Sequence, residues 1–240
     1  MALSKIDLDK AGVTGTLPTS NLDTVGVAQG GTGITSGTTD QFLKFTGTTT
    51  IASAVDNAGA LVHITSQAFP SANIFVVDSV FSSSYVNYVM TINMLNCTTD
   101  DSLDFVFVKS GTADASSNYR YTMNGYQNNG SGSSSYSNGT TTFGRLFYDM
   151  DADSEAGASG TFTIYSPYAA YQRKQITGIA AIQKQTASNT TPYFIASDYH
   201  NGTTQQFTGI KFQSTGGNNF RAGSVSGGYS SVSIYGVKTS

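Results

Sequence analysis

The chain has one cysteine, no tryptophan and few charged side chains. The single Cys97 cannot form an intrachain disulfide, and its position after an apolar strand pattern predicts a buried, inert thiol. Lysine, arginine, aspartate and glutamate make up 11% of the residues, against about 25% in a typical domain. Serine, threonine, asparagine and glycine must therefore form much of the surface, and solubility rests on hydroxyl and amide groups.

The low and scattered charge also excludes classes of partner. The net charge is -3, the isoelectric point is near 5.1, and the twelve basic residues are dispersed singly. Such a chain offers no basic surface to a nucleic-acid backbone. No apolar run approaches the roughly 18 residues of a membrane span. Acidic residues within the first ten positions interrupt the apolar stretch that a signal peptide needs. We therefore expect no nucleic-acid binding, no membrane insertion and synthesis in the cytoplasm.

A glycine-punctuated run, Val25–Gly33, precedes the aromatic-rich part of the chain. It is not a phosphate-binding loop, because no lysine follows Gly33 and Ser36 stands where a dinucleotide fingerprint needs its third glycine. Glycines let backbones approach closely. The run is thus either a flexible linker or a segment where several chains meet and bury its apolar side chains. The residues predicted at such a chain contact are Val25, Val27, Gly30, Gly31, Gly33 and Ile34.

Residues 1–24 carry spaced apolar side chains that fit neither a long helix nor a strand. The residue before Pro18 is pushed toward extended conformations. This pattern predicts a peptide that becomes ordered on another surface. Its predicted contact residues are Leu3, Ile6, Leu8, Leu17 and Leu22.

Residues 25–66 are predicted to form a stalk and a small β collar, followed by a head over residues 67–240. In the collar, residues 41–45 and 60–64 have short strand patterns that predict a hairpin or collar. A two-stranded hairpin is marginal alone in water, so these strands must pack against the head or against sister chains.

The head has the period-2 pattern of half-buried strands. In Val86–Met94, the even positions are mainly large and apolar, whereas the odd ones are mainly asparagine and threonine. About ten such segments are separated by glycine- and asparagine-rich turns, and no segment has a convincing helical stripe. The sequence predicts an all-β head, a jelly-roll-like antiparallel β-sandwich.

Two groups of tyrosines are candidates for ligand binding. Tyr126 and Tyr136 lie in residues 124–139, a polar segment without aliphatic residues that resembles adaptable binding loops. A solvated loop is the alternative interpretation. Tyr168 and Tyr171 lie close to Tyr165 near Pro167, where the three form either a sugar-stacking patch or ordinary sheet-edge packing.

Catalytic and metal motifs have little support in the sequence. In the acidic run Asp149–Glu155, Ser154 and Gly160 occupy the positions where an EF-hand needs glycine and glutamate. A calcium site of another type and a solvated strand end both stay open. The chain has only two histidines and no Gly-x-Ser-x-Gly elbow. We expect a protein without enzymatic activity or cofactor.

Several short motifs, in this order along the chain, resemble those of one class of proteins. The Gly-Thr-Leu-Pro step that ends at Pro18 and the run Val27-Ala-Gln-Gly-Gly-Thr-Gly33 resemble elements of bacteriophage tail fibres and related virion appendages. The head is similar to their C-terminal β-sandwich modules. The segments that carry this similarity are Phe81–Tyr88, Ser117-Asn-Tyr119 and Val232–Val237.

The resemblance implies a homotrimer in the virion, with the glycine-rich run near the threefold axis. It also implies that the N-terminus attaches to a phage tail or capsid protein, while the head binds a host-surface glycan or protein. Long fibres usually open with a folded adaptor, whereas the 24 residues here reach at most about 80 Å. A capsid decoration protein or head fibre is therefore an alternative to a tail fibre.

Two other hypotheses have less support. A polysaccharide-degrading appendage would need a long repeated β-helix or an acidic cleft, and the sequence shows no repeat of that kind. A free bacterial carbohydrate-binding module would need an export signal.

Overall fold

The computed structural model describes residues 42–45, 51–54, 60–126, 133–152, 157–170, 172–184, 189–200, 205–221 and 230–238. The chain divides into two compact units, residues 1–58 and 59–240. The described residues form fifteen strands and no helix. In chain order these are β1 (Phe42–Phe45), β2 (Ile51–Ala54), β3 (Leu61–Ala68), β4 (Ile74–Val77), β5 (Asn87–Leu95), β6 (Asp101–Lys109), β7 (Thr112–Ala113), β8 (Tyr119–Tyr126), β9 (Ser133–Thr141), β10 (Gly144–Met150), β11 (Ala158–Tyr165), β12 (Lys174–Lys184), β13 (Asn189–Tyr199), β14 (Gly209–Ser214) and β15 (Ser231–Val237).

The larger unit consists of two antiparallel sheets packed as a sandwich. The large sheet has the strand order β3-β15-β5-β11-β12-β13-β8-β9. The small sheet has the order β10-β6-β14-β4, with β7 paired to β6. The prediction of an all-β fold with an antiparallel β-sandwich is confirmed.

Strand β5 shows why the sequence folds in this way. Tyr88, Met90 and Ile92 are fully buried, while the residues between them are only partly buried. The alternation in the sequence therefore corresponds to one face of β5 that packs in the core and one face that points away from it. In the small sheet, Phe107 packs within the core against the rings of Tyr119 and Phe207, with centroids 6.3 and 4.9 Å away.

The two predicted collar strands do not pair with each other as a hairpin, and the second of them packs against the head, which was one of the predicted alternatives. In the smaller unit β1 pairs with β2, with Phe42 opposite Ala54. Strand β3 instead joins the large sheet of the other unit, where Leu61 lies opposite Val237 of β15. Strands β1 and β2 follow each other in the chain and pair locally, whereas β15 pairs with β5 along one edge and with β3 along the other. The sheet thus begins at β3, which spans the boundary predicted at residue 67.

The predicted binding loop at residues 124–139 is largely a β-hairpin. Strand β8 continues to Tyr126, and β9 begins at Ser133, directly opposite it. The side chains of β9 are serine, asparagine, threonine and glycine with one tyrosine, so hydrophobic alternation cannot reveal the strand. The ladder to β8 pairs one edge of its backbone, and its small polar side chains suit the outer edge of the sheet.

Several predictions fall outside the described residues. They concern the anchor, residues 1–24, the chain contact, residues 25–34, and Tyr171. Tyr126 is the last residue of β8, but its side chain also lies outside the described part. These assignments stay predictions.

Candidate functional site

A depression of about 230 Å³ lies at one end of the sandwich, where β5 begins and β11 ends. It contains Tyr168, one of the tyrosines predicted to bind ligand. We call it the Tyr85–Tyr168 depression. Its lining residues are Ser82, Ser83, Tyr85, Val86, Tyr168, Ala169 and Gln206.

The first wall is the segment just before β5, and Tyr88 holds it in place. The buried hydroxyl of Tyr88 accepts a hydrogen bond from the backbone N–H of Ser82 at 2.7 Å and donates to the Ser82 carbonyl at 3.0 Å. Burial raises the pKa of Tyr88, although these bonds to Ser82 act in the opposite direction. The hydroxyl therefore stays protonated and closes the loop onto the strand.

Tyr85 of the same wall rests on the backbone of β15. A Cβ atom added to Gly236 would lie 2.5 Å from the ring of Tyr85, closer than any side chain tolerates. Tyr85 also meets Tyr88 edge-on, with centroids 5.9 Å apart. Only glycine at position 236 allows this position of the Tyr85 ring. The wall therefore depends on the absence of a side chain at Gly236.

The second wall is the turn after β11, which carries Tyr168. The backbone N–H of Ser166 donates to the Val86 carbonyl at 3.0 Å, joining the two walls directly. The carbonyl of the buried Pro167 accepts from the N–H of Phe207 at 3.1 Å. Ser166 has a positive φ of 50°, a conformation that is uncommon for a residue other than glycine. Hydrogen bonds on both sides keep the turn in this shape.

Lys174 supports the turn from below. Its side chain is 1% exposed, and its ammonium group donates to the carbonyls of Ala169 and Gln172, the latter at 2.7 Å. Burial lowers the pKa of Lys174. A buried ammonium group is costly unless its donors are used. The carbonyls of the turn use them, so the lysine acts as a positioning residue for Tyr168.

The lining combines aromatic surface with neutral hydrogen-bonding groups. Tyr85 and Tyr168 are half-buried, Gln206 is exposed, and Val86 is 48% exposed. No residue of the lining carries a carboxylate or an imidazole. Such a surface can stack against an apolar ring face and donate to or accept from hydroxyl groups. It supplies no pair of groups for acid–base chemistry.

Tyr136, the other described candidate, lies elsewhere. Its ring stacks on Tyr148 of β10 with centroids 3.8 Å apart, so one aromatic face is already used inside the protein. Tyr148 follows Phe147, which pairs with Leu103 near the start of β6. The Tyr168 turn instead bonds Phe207, whose neighbour Thr208 bonds Val108 near the end of β6. Tyr136 and Tyr168 therefore lie near opposite ends of β6 and do not share a site.

Near Tyr136 the structure contains a buried ion pair that the sequence did not indicate. The Nε atom of Arg145 lies 2.7 Å from a carboxylate oxygen of Asp104. The guanidinium also lies 5.3 to 5.6 Å from the ring centroids of Tyr121, Phe143 and Tyr148. Burial works against the charge of Arg145, but the Asp104 carboxylate outweighs it and raises the pKa of Arg145. These contacts satisfy the charges internally, so we assign the cluster a structural role.

The remaining sequence candidates bear on metals and thiol chemistry. Among the described residues, no three His, Cys, Asp or Glu side chains are placed to hold a metal ion. Residues 153–155 of the acidic run lie outside that part of the chain. Cys97 is a buried free thiol, as predicted, and burial raises its pKa to about 12.

In the part of the chain that the structure describes, no helix has the length and apolarity to cross a membrane.

Comparisons of the chain with protein-family models, with curated proteins and with solved structures gave no match. The site must therefore be interpreted from its own geometry.

Proposed function

We propose that this protein is a structural virion appendage whose sandwich head binds a host-surface glycan through the Tyr85–Tyr168 depression. One observation carries the binding role. Two half-buried tyrosines from distant parts of the chain meet in one depression, beside an exposed amide and two serine hydroxyls. Tyrosine provides contact area at low entropic cost, and small polar residues add hydrogen bonds, which is the composition of adaptable binding surfaces.

Binding is favoured over cleavage because glycoside hydrolysis uses a pair of carboxylates across the scissile bond. The lining of the depression has none. Its walls are also held by backbone hydrogen bonds and by packing on Gly236. A site that is ordered before the ligand arrives loses less entropy on binding.

The virion role is supported by the resemblance of the Val27–Gly33 run and the Gly-Thr-Leu-Pro step to phage appendages. The proposal includes a homotrimer with the glycine-rich run near the threefold axis. The proposal has two alternatives, in which the N-terminus attaches either to the phage tail or to the capsid.

The virion role is tested on particles and on the purified protein. We expect the protein in purified phage particles, and a solution mass of three chains. Electron microscopy of particles labelled at the C-terminal head then separates a tail fibre from a capsid decoration. A protein that stays monomeric at high concentration contradicts the trimer, and absence from particles contradicts the virion role.

The binding role is tested with labelled full-length protein and host cells. We expect Tyr85→Ala and Tyr168→Ala each to weaken cell binding about tenfold or more, as for truncated aromatic anchors. Tyr136→Ala is the matched control, because its ring packs against Tyr148 at the other end of β6, and it should leave binding unchanged. Thermal unfolding checks that all three variants are folded. Equal cell binding by the wild type, Tyr85→Ala and Tyr168→Ala would contradict the assignment of the binding site.

A further inference from the structure

A second depression, of about 330 Å³, lies on the outer face of the large sheet. It crosses β12, β13 and β8, away from the core. We call it the Arg120–Asp198 depression. Its lining residues are Arg120, Tyr121, Thr122, Gln175, Thr177, Ala196, Ser197 and Asp198.

Strand register places the outward side chains of this depression in two rows. In the first row, Asp198 of β13 lies opposite Gln175 of β12 on one side and opposite Arg120 of β8 on the other. The second row has Ala196 in the same central position, and its register partners are Thr177 and Thr122. Residues two apart on a strand point to the same face, so both rows face outward together.

The concave shape has a simple cause. Ala196 is the smallest side chain of the two rows and stands at the centre of the second one. Its neighbour two positions along β13, Phe194, is 58% exposed and rises beside it. Tyr165 stands on the other flank, where its hydroxyl lies 3.5 Å from that of Thr177. The methyl group of Ala196 therefore forms the floor of a shallow recess between larger side chains.

Thr177 bonds Tyr165, but the charged and amide side chains around this floor, Arg120, Gln175 and Asp198, have no hydrogen bond to the described protein. Arg120 and Asp198 are register neighbours, yet the one ion pair among the described residues is between Arg145 and Asp104. Gln175 and Arg120 are exposed, and Asp198 is partly exposed. The donors of Arg120 and the acceptors of Asp198 therefore stay available to a ligand in this depression.

We propose that the Arg120–Asp198 depression binds an uncharged saccharide through a vicinal diol. The carboxylate of Asp198 accepts hydrogen bonds from the two hydroxyl groups, while the guanidinium of Arg120 donates to their oxygens. The apolar face of the sugar ring then lies over Ala196 beside the ring of Phe194. Gln175 and the threonine hydroxyls complete the contacts.

The charge balance selects this ligand class. One positive and one negative side chain leave the lining with no net charge, so an anionic sugar gains a contact with Arg120 but is repelled by Asp198. A neutral polyol uses both groups at once. The site is separate from the Tyr85–Tyr168 depression and does not depend on the proposed function.

The test is saturation-transfer NMR on the full-length protein with four neutral probes at millimolar concentration. They are the methyl glycosides of mannose, galactose, glucose and rhamnose, and methyl glucuronide is the anionic comparison. We expect transfer to at least one neutral probe, retained in Tyr85→Ala. Asp198→Asn and Arg120→Gln should each weaken binding about tenfold, because each removes a hydrogen bond to a charged group.

In the Tyr85→Ala background, where the other depression is impaired, Ala196→Leu fills the floor and should abolish transfer. Ala181→Leu, on the same face of β12 and opposite Pro192, is the matched control and should have no effect. Thermal unfolding confirms that these surface variants are folded. The assignment is overturned by no transfer to any neutral probe, by loss of transfer in Tyr85→Ala, by unchanged transfer when Ala196→Leu is added to that variant, or by stronger binding of the glucuronide.

Discussion

The Tyr85–Tyr168 depression is made by segments outside the strands, whereas the Arg120–Asp198 depression is made by three strands in register. The first needs the Tyr88 hydroxyl, the gap at Gly236 and the buried ammonium group of Lys174 to hold its walls. The second needs only the pairing of β12, β13 and β8. Binding surface and stability are therefore coupled in the first depression and separable in the second.

Two consecutive residues of strand β12 contribute to the two depressions in different ways. Lys174 points inward and holds the turn of the first depression, while Gln175 points outward and lines the second. Alternation along a strand lets neighbouring residues serve different sites on opposite faces. Substitutions at these positions separate the two depressions experimentally.

The largest expected effect is at Gly236. Gly236→Ala places a methyl group where the ring of Tyr85 lies, so we expect a loss of about 1–3 kcal/mol in the free energy of unfolding, as for overpacked sites. Cell binding should fall with it, because Tyr85 must move. Gly139→Ala is the control, since an added Cβ there meets nothing within 4 Å. Denaturant unfolding measures both, and equal stabilities would show that the ring of Tyr85 moves freely.

Lys174→Met should have the next largest effect. The carbonyls of Ala169 and Gln172 lose their donor, and leaving buried acceptors unsatisfied costs about 1–3 kcal/mol. We expect weaker cell binding through Tyr168, but unchanged saturation transfer at the Arg120–Asp198 depression. If both binding activities fall together in a folded variant, the two depressions are not independent.

A smaller effect on stability is expected at the neighbouring position. Gln175→Ala removes an exposed side chain and should change the free energy of unfolding by less than about 0.5 kcal/mol. It should weaken saccharide binding at the Arg120–Asp198 depression only. A large stability change would mean that the amide of Gln175 belongs to the fold rather than to a ligand site.

The smallest signal, and the most direct check on opening of the sandwich, comes from Cys97. Burial raises its pKa to about 12, so a thiol reagent at pH 8 should label the protein only after unfolding. The unfolded thiol ionises from about pH 8.5 upward while the folded one keeps its proton, so this group makes the fold less stable as pH rises through that range. Gly236→Ala should speed labelling, whereas Gln175→Ala should match the wild type. Rapid labelling of the native wild type would contradict the buried position.

The two depressions also differ in how far the sequence could predict them. Tyr168 could be predicted, because several tyrosines close to Pro167 suggest a surface patch. Tyr85, which lines the same depression, could not be predicted, because its ring position depends on packing against Gly236, which is far along the chain. Tyr136 was a reasonable candidate, yet its ring packs on Tyr148. Arg120 and Asp198 carry no local signal, since only the register of β8 and β13 makes them neighbours.

The all-β class, the alternating faces of strands such as β5, the buried thiol of Cys97 and the polar, weakly charged surface could all be predicted from the sequence. Each of these follows from composition or from period-2 spacing, which are local properties. Tertiary structure decided that β3 pairs with β15, that residues 124–139 form mostly a hairpin, and which side chains meet in each depression. Pairing and register depend on the summed packing of strands distant in the chain, and a local pattern does not contain that information.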